Sequence, residues 1–145
     1  MIYIISDDLT GACDTAVQFK KAGILTWVSL RGETAPKGFG ALAFSTDSRA
    51  LSPKEAREKV KKAVDPLPLG LFYKKIDSLC RGNPAAELDE VLNRSGADCA
   101  VVTPAFPAAG RTLVGGKLGL GGKEIDVFAL FSAIPGRKAA PVGLG

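Results

Sequence analysis

The sequence predicts an α/β fold: a mostly parallel, open sheet with flanking helices, arranged in three layers. Two observations carry this. Short apolar runs of strand length alternate with segments of helical period. The polar stretches recur on the carboxyl side of the first, third, fourth and fifth expected strands, where an open parallel sheet gathers its loops on one edge.

The first apolar run, Ile2–Ser6, stops abruptly at Asp7 and Asp8. A helix is expected over 12–22, with Ala12, Ala16, Val17 and Phe19 apolar, lysines in its last turn and Gly23 as its stop. Residues 24–30 read as a strand, "RGETAPKGFG" as a connector and "ALAFS" (41–45) as a further buried strand. "SPKE" places Ser52 at an N-cap, Pro53 at the first helical position and Glu55 three residues on, a capping box for a helix running to about residue 64. Residues 70–76 read as a strand. Asn83 and Pro84 open a helix that Gly96 ends, and "DCAVVT" (98–103) is expected to be a fifth strand. After Thr112 the pattern weakens into glycine-rich sequence, in which only 124–134 has the makings of a regular element. The division expected is therefore an α/β domain over 1–116 and a loosely attached, glycine-rich tail of uncertain structure over 117–145.

At 145 residues, with 46% apolar and 23% charged side chains, the composition is that of a globular protein with its own core. No run is long enough to span a membrane, and no secretory leader is recognisable at the start. Cys13, Cys80 and Cys99 are odd in number and far apart, which argues for a reducing, cytoplasmic setting and against a disulfide framework. There is no histidine. Acid–base work falls to carboxylates or lysines, and no metal site is expected. Half of the +4 net charge comes from the tail, through Lys117, Lys123, Arg137 and Lys138 against Glu124 and Asp126. So thin an excess excludes a nucleic-acid surface and leaves room for a small anionic ligand.

Four polar stretches define the candidate site: "SDDLTG", "STDSR", "DSLCRGN" and "TPAFPAAGRT". Each has a structural alternative. Capping of the first helix accounts for one of Asp7 and Asp8, with Thr10 assisting, but not for both. Ser45, Thr46 and Ser48 have the chemistry of turn formers. Lys75, Asp77, Ser78 and Arg81 crowd a helix N-terminus, where anions bind. Arg111 is the only charge in a loop stiffened by prolines, an arrangement suited to a carboxylate or phosphate. Cys80 lacks a base to activate it and reads as packing. Neither Lys117 nor Lys123 follows the glycine spacing of a phosphate loop, so the pairs Gly115–Gly116 and Gly121–Gly122 read as turns.

"SDDLTGACDT", "STDSR", "KKIDSLCRGNPAAEL" and "TPAFPAAGRT", in this order, resemble the N-terminal domain of the four-carbon acid sugar kinases, over about residues 2–116. The resemblance implies a domain that holds a sugar acid such as threonate, erythronate or 3-oxo-tetronate, with ATP and magnesium bound by a separate C-terminal domain. It implies catalytic roles for Asp7 and Asp8, one of them orienting or deprotonating the acceptor hydroxyl; which one stays open. Thr10, Ser45, Ser48, Arg49, Lys75, Asp77, Ser78, Arg81, Asn83 and Arg111 become substrate-binding candidates. The family pattern Asp-Ser-Thr-Leu-Arg-Gly-Asn here reads Asp77-Ser78-Leu79-Cys80-Arg81-Gly82-Asn83, a lost hydroxyl that bears on substrate preference. The residues after 116 do not match a nucleotide-binding domain. The expectation is thus an incomplete kinase, inactive alone, from a truncated or frame-shifted gene or as a half served by a separate nucleotide-binding chain or a second copy. A non-catalytic anion-binding module is the alternative. An aspartate-dependent phosphatase fits less well, because its two aspartates are spaced by one residue and these are adjacent.

Overall fold

The computed structural model describes residues 1–142. Four strands, β1 (Ile2–Ser6), β2 (Thr26–Ser29), β3 (Ala41–Ser45) and β4 (Leu71–Lys75), form a parallel sheet in the order β2-β3-β1-β4. Helix α1 (Leu9–Lys21) covers one face, while α2 (Pro53–Val64) and α3 (Pro84–Ser95) cover the other. The expected three layers are present.

Strand alternation assigns the faces. Ile4 packs with Ala16, Ala41 and Ala43 beneath α1, and its neighbour Ile5 packs with Val60, Val64 and Val91 beneath α2 and α3. Small residues draw α1 close to the sheet. At Gly11 an added Cβ would lie 2.5 Å from Ser6 Oγ and 2.7 Å from Asp8 Oδ1, so only glycine fits the first turn. That helix starts at Leu9 rather than at residue 12, because Asp8 is its N-cap. The capping box is formed at Ser52 and Glu55.

β1 lies between β3 and β4, in register Ile5↔Phe44 and Ile5↔Lys74. The loops leaving these three strands therefore meet at one carboxyl edge.

Residues 98–103 do not form the expected fifth strand. They carry no regular secondary structure and do not join the ladder of β4; residues 99–103 and β4 instead line a groove of about 1110 Å³. A parallel strand must bury both faces. Here only Val102 packs against a core, whereas Val101 is 94% exposed.

The glycine-rich sequence is more regular than expected. β5 (Thr112–Val114), β6 (Lys117–Leu120) and β7 (Lys123–Asp126) make an antiparallel sheet, followed by α4 (Val127–Ser132). Gly115–Gly116 and Gly121–Gly122 are the two-residue turns, with positive φ at all four positions, as tight hairpins require. Leu118, Val127, Phe131 and Ile134 pack on Leu88 and Leu92 of α3. Arg137 secures the end of this unit through a 2.7 Å ion pair with Asp89. No helix is long and apolar enough to cross a membrane among the described residues.

Candidate functional site

The two adjacent carboxylates after β1 have different tasks. Asp8 adopts extended backbone, and its Oδ1 accepts a 2.7 Å hydrogen bond from Gly11 N. Its Oδ2 lies 2.6 Å from an Arg49 nitrogen. Asp7 turns inward and takes the guanidinium fork of Arg49, Nε donating to Oδ2 at 2.8 Å and Nη2 to Oδ1 at 3.0 Å. The Asp7 side chain is 4% exposed and that of Asp8 28%.

Arg49 also lies 3.8 Å from Asp77, so one guanidinium faces three carboxylates. The hydrogen bond that Arg49 donates to Asp7 and the charges of Asp7, Asp8 and Asp77 hold Arg49 far above its ordinary pKa, against the opposing effect of burial. Asp77 takes a second fork from Arg81, at 2.9 and 2.7 Å, and accepts from the backbone N–H groups of Leu79 and Arg81. The Arg81 hydrogen bond holds the Asp77 carboxyl well below the usual range. Burial, together with the Asp77 charge, raises the Cys80 thiol, which keeps it protonated and poorly nucleophilic.

Both arginine-bearing loops contain left-handed backbone at a residue other than glycine, Asp47 with φ 49 and Cys80 with φ 54. Such positions cost about 1–3 kcal/mol each and persist where surrounding contacts hold them. Ser48 and Asn83 supply those contacts. Ser48 N donates to Asp7 O at 3.0 Å, and Asn83 Nδ2 donates to Ser48 O and Leu51 O at 3.4 and 2.8 Å. Asn83 makes no side-chain cap of α3; it ties two site loops together.

Of the other candidates, Thr10 is exposed on the first turn of α1. Ser45 Oγ accepts from Asp47 N. Ser48 is fully buried, with its hydroxyl on Thr46 and Glu87. Lys75 Nζ donates to Ile76 O, and Lys75, Ser78 and Arg111 line the groove beside β4. Arg111 Nε is buried without a hydrogen-bond partner. The structure thus brings Asp7, Asp8, Arg49, Asp77 and Arg81 into one ionic cluster, with Ser48 and Asn83 behind it. Lys75, Ser78 and Arg111 stand in the adjoining groove. Among the described residues neither Lys75 nor Arg111 is ion-paired.

Three contributors were missed by sequence reasoning: Thr46, Lys74 and Glu87. Thr46 Oγ1 donates to Ser6 O at 3.0 Å, while Lys74 and Glu87 form a 2.7 Å ion pair. A signal existed for both charges. Lys74 alternates with Phe72 on the inward face of β4, and Glu87 lies four residues before the buried Val91 on the apolar side of α3.

Among the described residues no cluster fits the magnesium, and no glycine-rich loop fits the ATP phosphates, that the resemblance implies. Among the described residues no three Asp, Glu or Cys side chains are arranged to hold a metal ion. The glycine pairs are hairpin turns rather than a loop opening onto a helix.

The sequence profile of the sugar-binding N-terminal domain matches residues 2–128. D-threonate kinase of Salmonella typhimurium is 41% identical over 119 residues, covering 79% of this chain and 28% of that protein. D-erythronate kinase of Heliobacterium modesticaldum is 42% identical over 125 residues, covering 81% and 28%. A crystal structure of a domain of unknown function from Bordetella bronchiseptica, a domain-swapped dimer with bound citrate, superposes with a TM-score of 0.75 at 40% identity. It covers 84% of this chain and 33% of that one. The chain spans less than a third of the length of these kinases. All twelve candidate site residues, from Asp7 to Arg111, fall inside the matched region, and the chain belongs to the sugar-binding N-terminal domain family.

Proposed function

We propose that this chain is the acceptor-binding part of an ATP-dependent four-carbon sugar-acid kinase, and that Asp8 meets the acceptor hydroxyl. The observation that carries the reading is the unequal exposure of the aspartate pair: Asp7 is enclosed by the Arg49 fork, whereas Asp8 opens to the carboxyl edge of the sheet. Phosphoryl transfer needs a carboxylate near the nucleophilic oxygen, and charge around it that positions the acceptor. Asp8 supplies the first, and Asp7 serves by holding Arg49. Lys75 and Arg111, which have no carboxylate partner among the described residues, grip the carboxylate of the ligand, and Thr10, Ser45 and Ser78 serve its hydroxyls. Asp77, Ser48 and Asn83 brace the loops. The citrate of the Bordetella relative, a small polycarboxylate, supports an anionic ligand. No residue of this chain is assigned to ATP or magnesium. The setting is cytoplasmic, where ATP is available, and the swapped dimer of that relative makes a second copy a partner worth testing by sedimentation.

The test is calorimetry of the chain with D-threonate and D-erythronate, and with erythritol as an uncharged control. The acids should bind and erythritol should not. Arg111→Ala should weaken binding by about 2–5 kcal/mol, the cost of stripping one partner from a buried charge pair. With ATP and magnesium the chain alone should give no turnover. A nucleotide-binding chain added in trans should restore it, except with Asp8→Asn. Equal binding of erythritol and the acids would overturn the reading.

A further inference from the structure

Behind the ionic cluster lies a buried ion pair whose two members, Lys74 and Glu87, are not themselves among the candidate ligand residues. Lys74 projects from β4 on the α3 side, with its side chain 3% exposed, and reaches Glu87 of α3, 1% exposed, at 2.7 Å. Lys74 Nζ also donates to Lys75 O at 2.8 Å. The second carboxylate oxygen of Glu87 accepts from Ser48 Oγ at 2.7 Å. Ser48 in turn lies 2.7 Å from Thr46 Oγ1, which donates to Ser6 O. One continuous chain of polar contacts therefore links β4, α3, the loop after β3 and the end of β1.

A buried ion pair is a poor way to add stability, since apolar side chains of similar volume serve as well or better. What it offers is direction. Lys74 fixes the Glu87 carboxylate so that one oxygen remains aimed at Ser48. Ser48 stands between the left-handed Asp47 and Arg49. Its backbone N–H is bound to Asp7 O, so the place of Ser48 fixes where the Arg49 guanidinium begins its reach toward Asp7 and Asp8.

We infer that Lys74, Glu87 and Ser48 form an internal latch that positions Arg49, making Glu87 and Ser48 positioning residues for ligand binding rather than ligand contacts. The inference rests on the reading of Asp8 and Arg49 as the acceptor site, but its primary test does not. In the nitrogen-15-labelled chain, nuclear magnetic resonance follows solvent exchange of the Arg49 Nε–H beside that of the Ile5 amide in the central strand. Ser48→Ala should speed Arg49 Nε–H exchange about tenfold or more, the loss of one hydrogen bond to a charged group, with little change at Ile5. Exchange that rises no more at Arg49 than at Ile5 overturns the latch. Should Ser48→Ala not fold, two paired replacements decide. Lys74→Met with Glu87→Leu removes the acceptor for Ser48 and should release Arg49. Lys74→Met with Glu87→Gln keeps an acceptor and should restore its protection. Equal exchange in the two pairs overturns the latch as well. D-threonate affinity should fall about tenfold in the released variants and recover with glutamine. A wild-type chain that fails to bind D-threonate strikes the acceptor-site reading alone, because Arg49 exchange still judges the latch.

Discussion

Arg49 concentrates on one side chain the problem posed by two neighbouring aspartates. Their mutual repulsion is relieved by a shared cation, and the third carboxylate, Asp77, brings its own arginine. This arrangement ties stability to acid. Asp77 has a folded-state pKa below its ordinary value, so its contribution is complete above that value and is lost as pH falls toward the folded one. Glu33 behaves alike. Hydrogen bonds from the Arg31 backbone and the Ser29 hydroxyl lower it from 4.5 to about 2. Urea midpoints should therefore drop progressively between about pH 4.5 and 2. Asp77→Asn should flatten part of that slope, and a variant with the wild-type slope would detach Asp77 from it. The carboxylates and arginines of the site were legible in the sequence because they sit together in short polar loops. The division of labour between Asp7 and Asp8 was not, since it depends on which carboxylate turns under Arg49, a contact across 42 positions of sequence.

Elements whose ends are written locally were the ones the sequence predicted best. Ser52 receives the backbone N–H of Glu55, and Glu55 returns the contact to Ser52 N, with hydrogen bonds to the Ser52 hydroxyl and backbone holding the Glu55 carboxyl low. Ser52→Ala should cost about 1 kcal/mol in urea unfolding, with ligand binding unchanged because the cap faces solvent. A cost near zero would mean that Pro53 alone starts the helix. Elements that depend on a distant partner were predicted poorly. Residues 98–103 have strand composition, yet strand formation is decided by packing against neighbours, and Val101 finds none. The hairpins after Thr112 erred in the opposite direction. Their strands are three or four residues long and interrupted by glycine, too short for alternation to show.

At the scale of the molecule, two sheets share α3. Its buried face serves the parallel sheet through Val91 and the antiparallel unit through Leu88 and Leu92. Phe131, 8% exposed, is the largest side chain that the antiparallel unit buries against α3. Phe131→Ala should cost about 3–5 kcal/mol and raise hydrogen exchange in β5, β6 and β7 well before it does so in β1. Equal loosening of both sheets would show that they unfold as one body. β4, meanwhile, pairs with β1 on one side only and leaves Leu71 and Tyr73 exposed along its open border. Unsatisfied N–H and C=O groups beside apolar side chains form a template onto which another extended chain can add. Shelf life in the test tube should then depend on concentration as much as on temperature: light scattering should rise sooner in concentrated solutions than in dilute ones, and Tyr73→Lys should delay the onset.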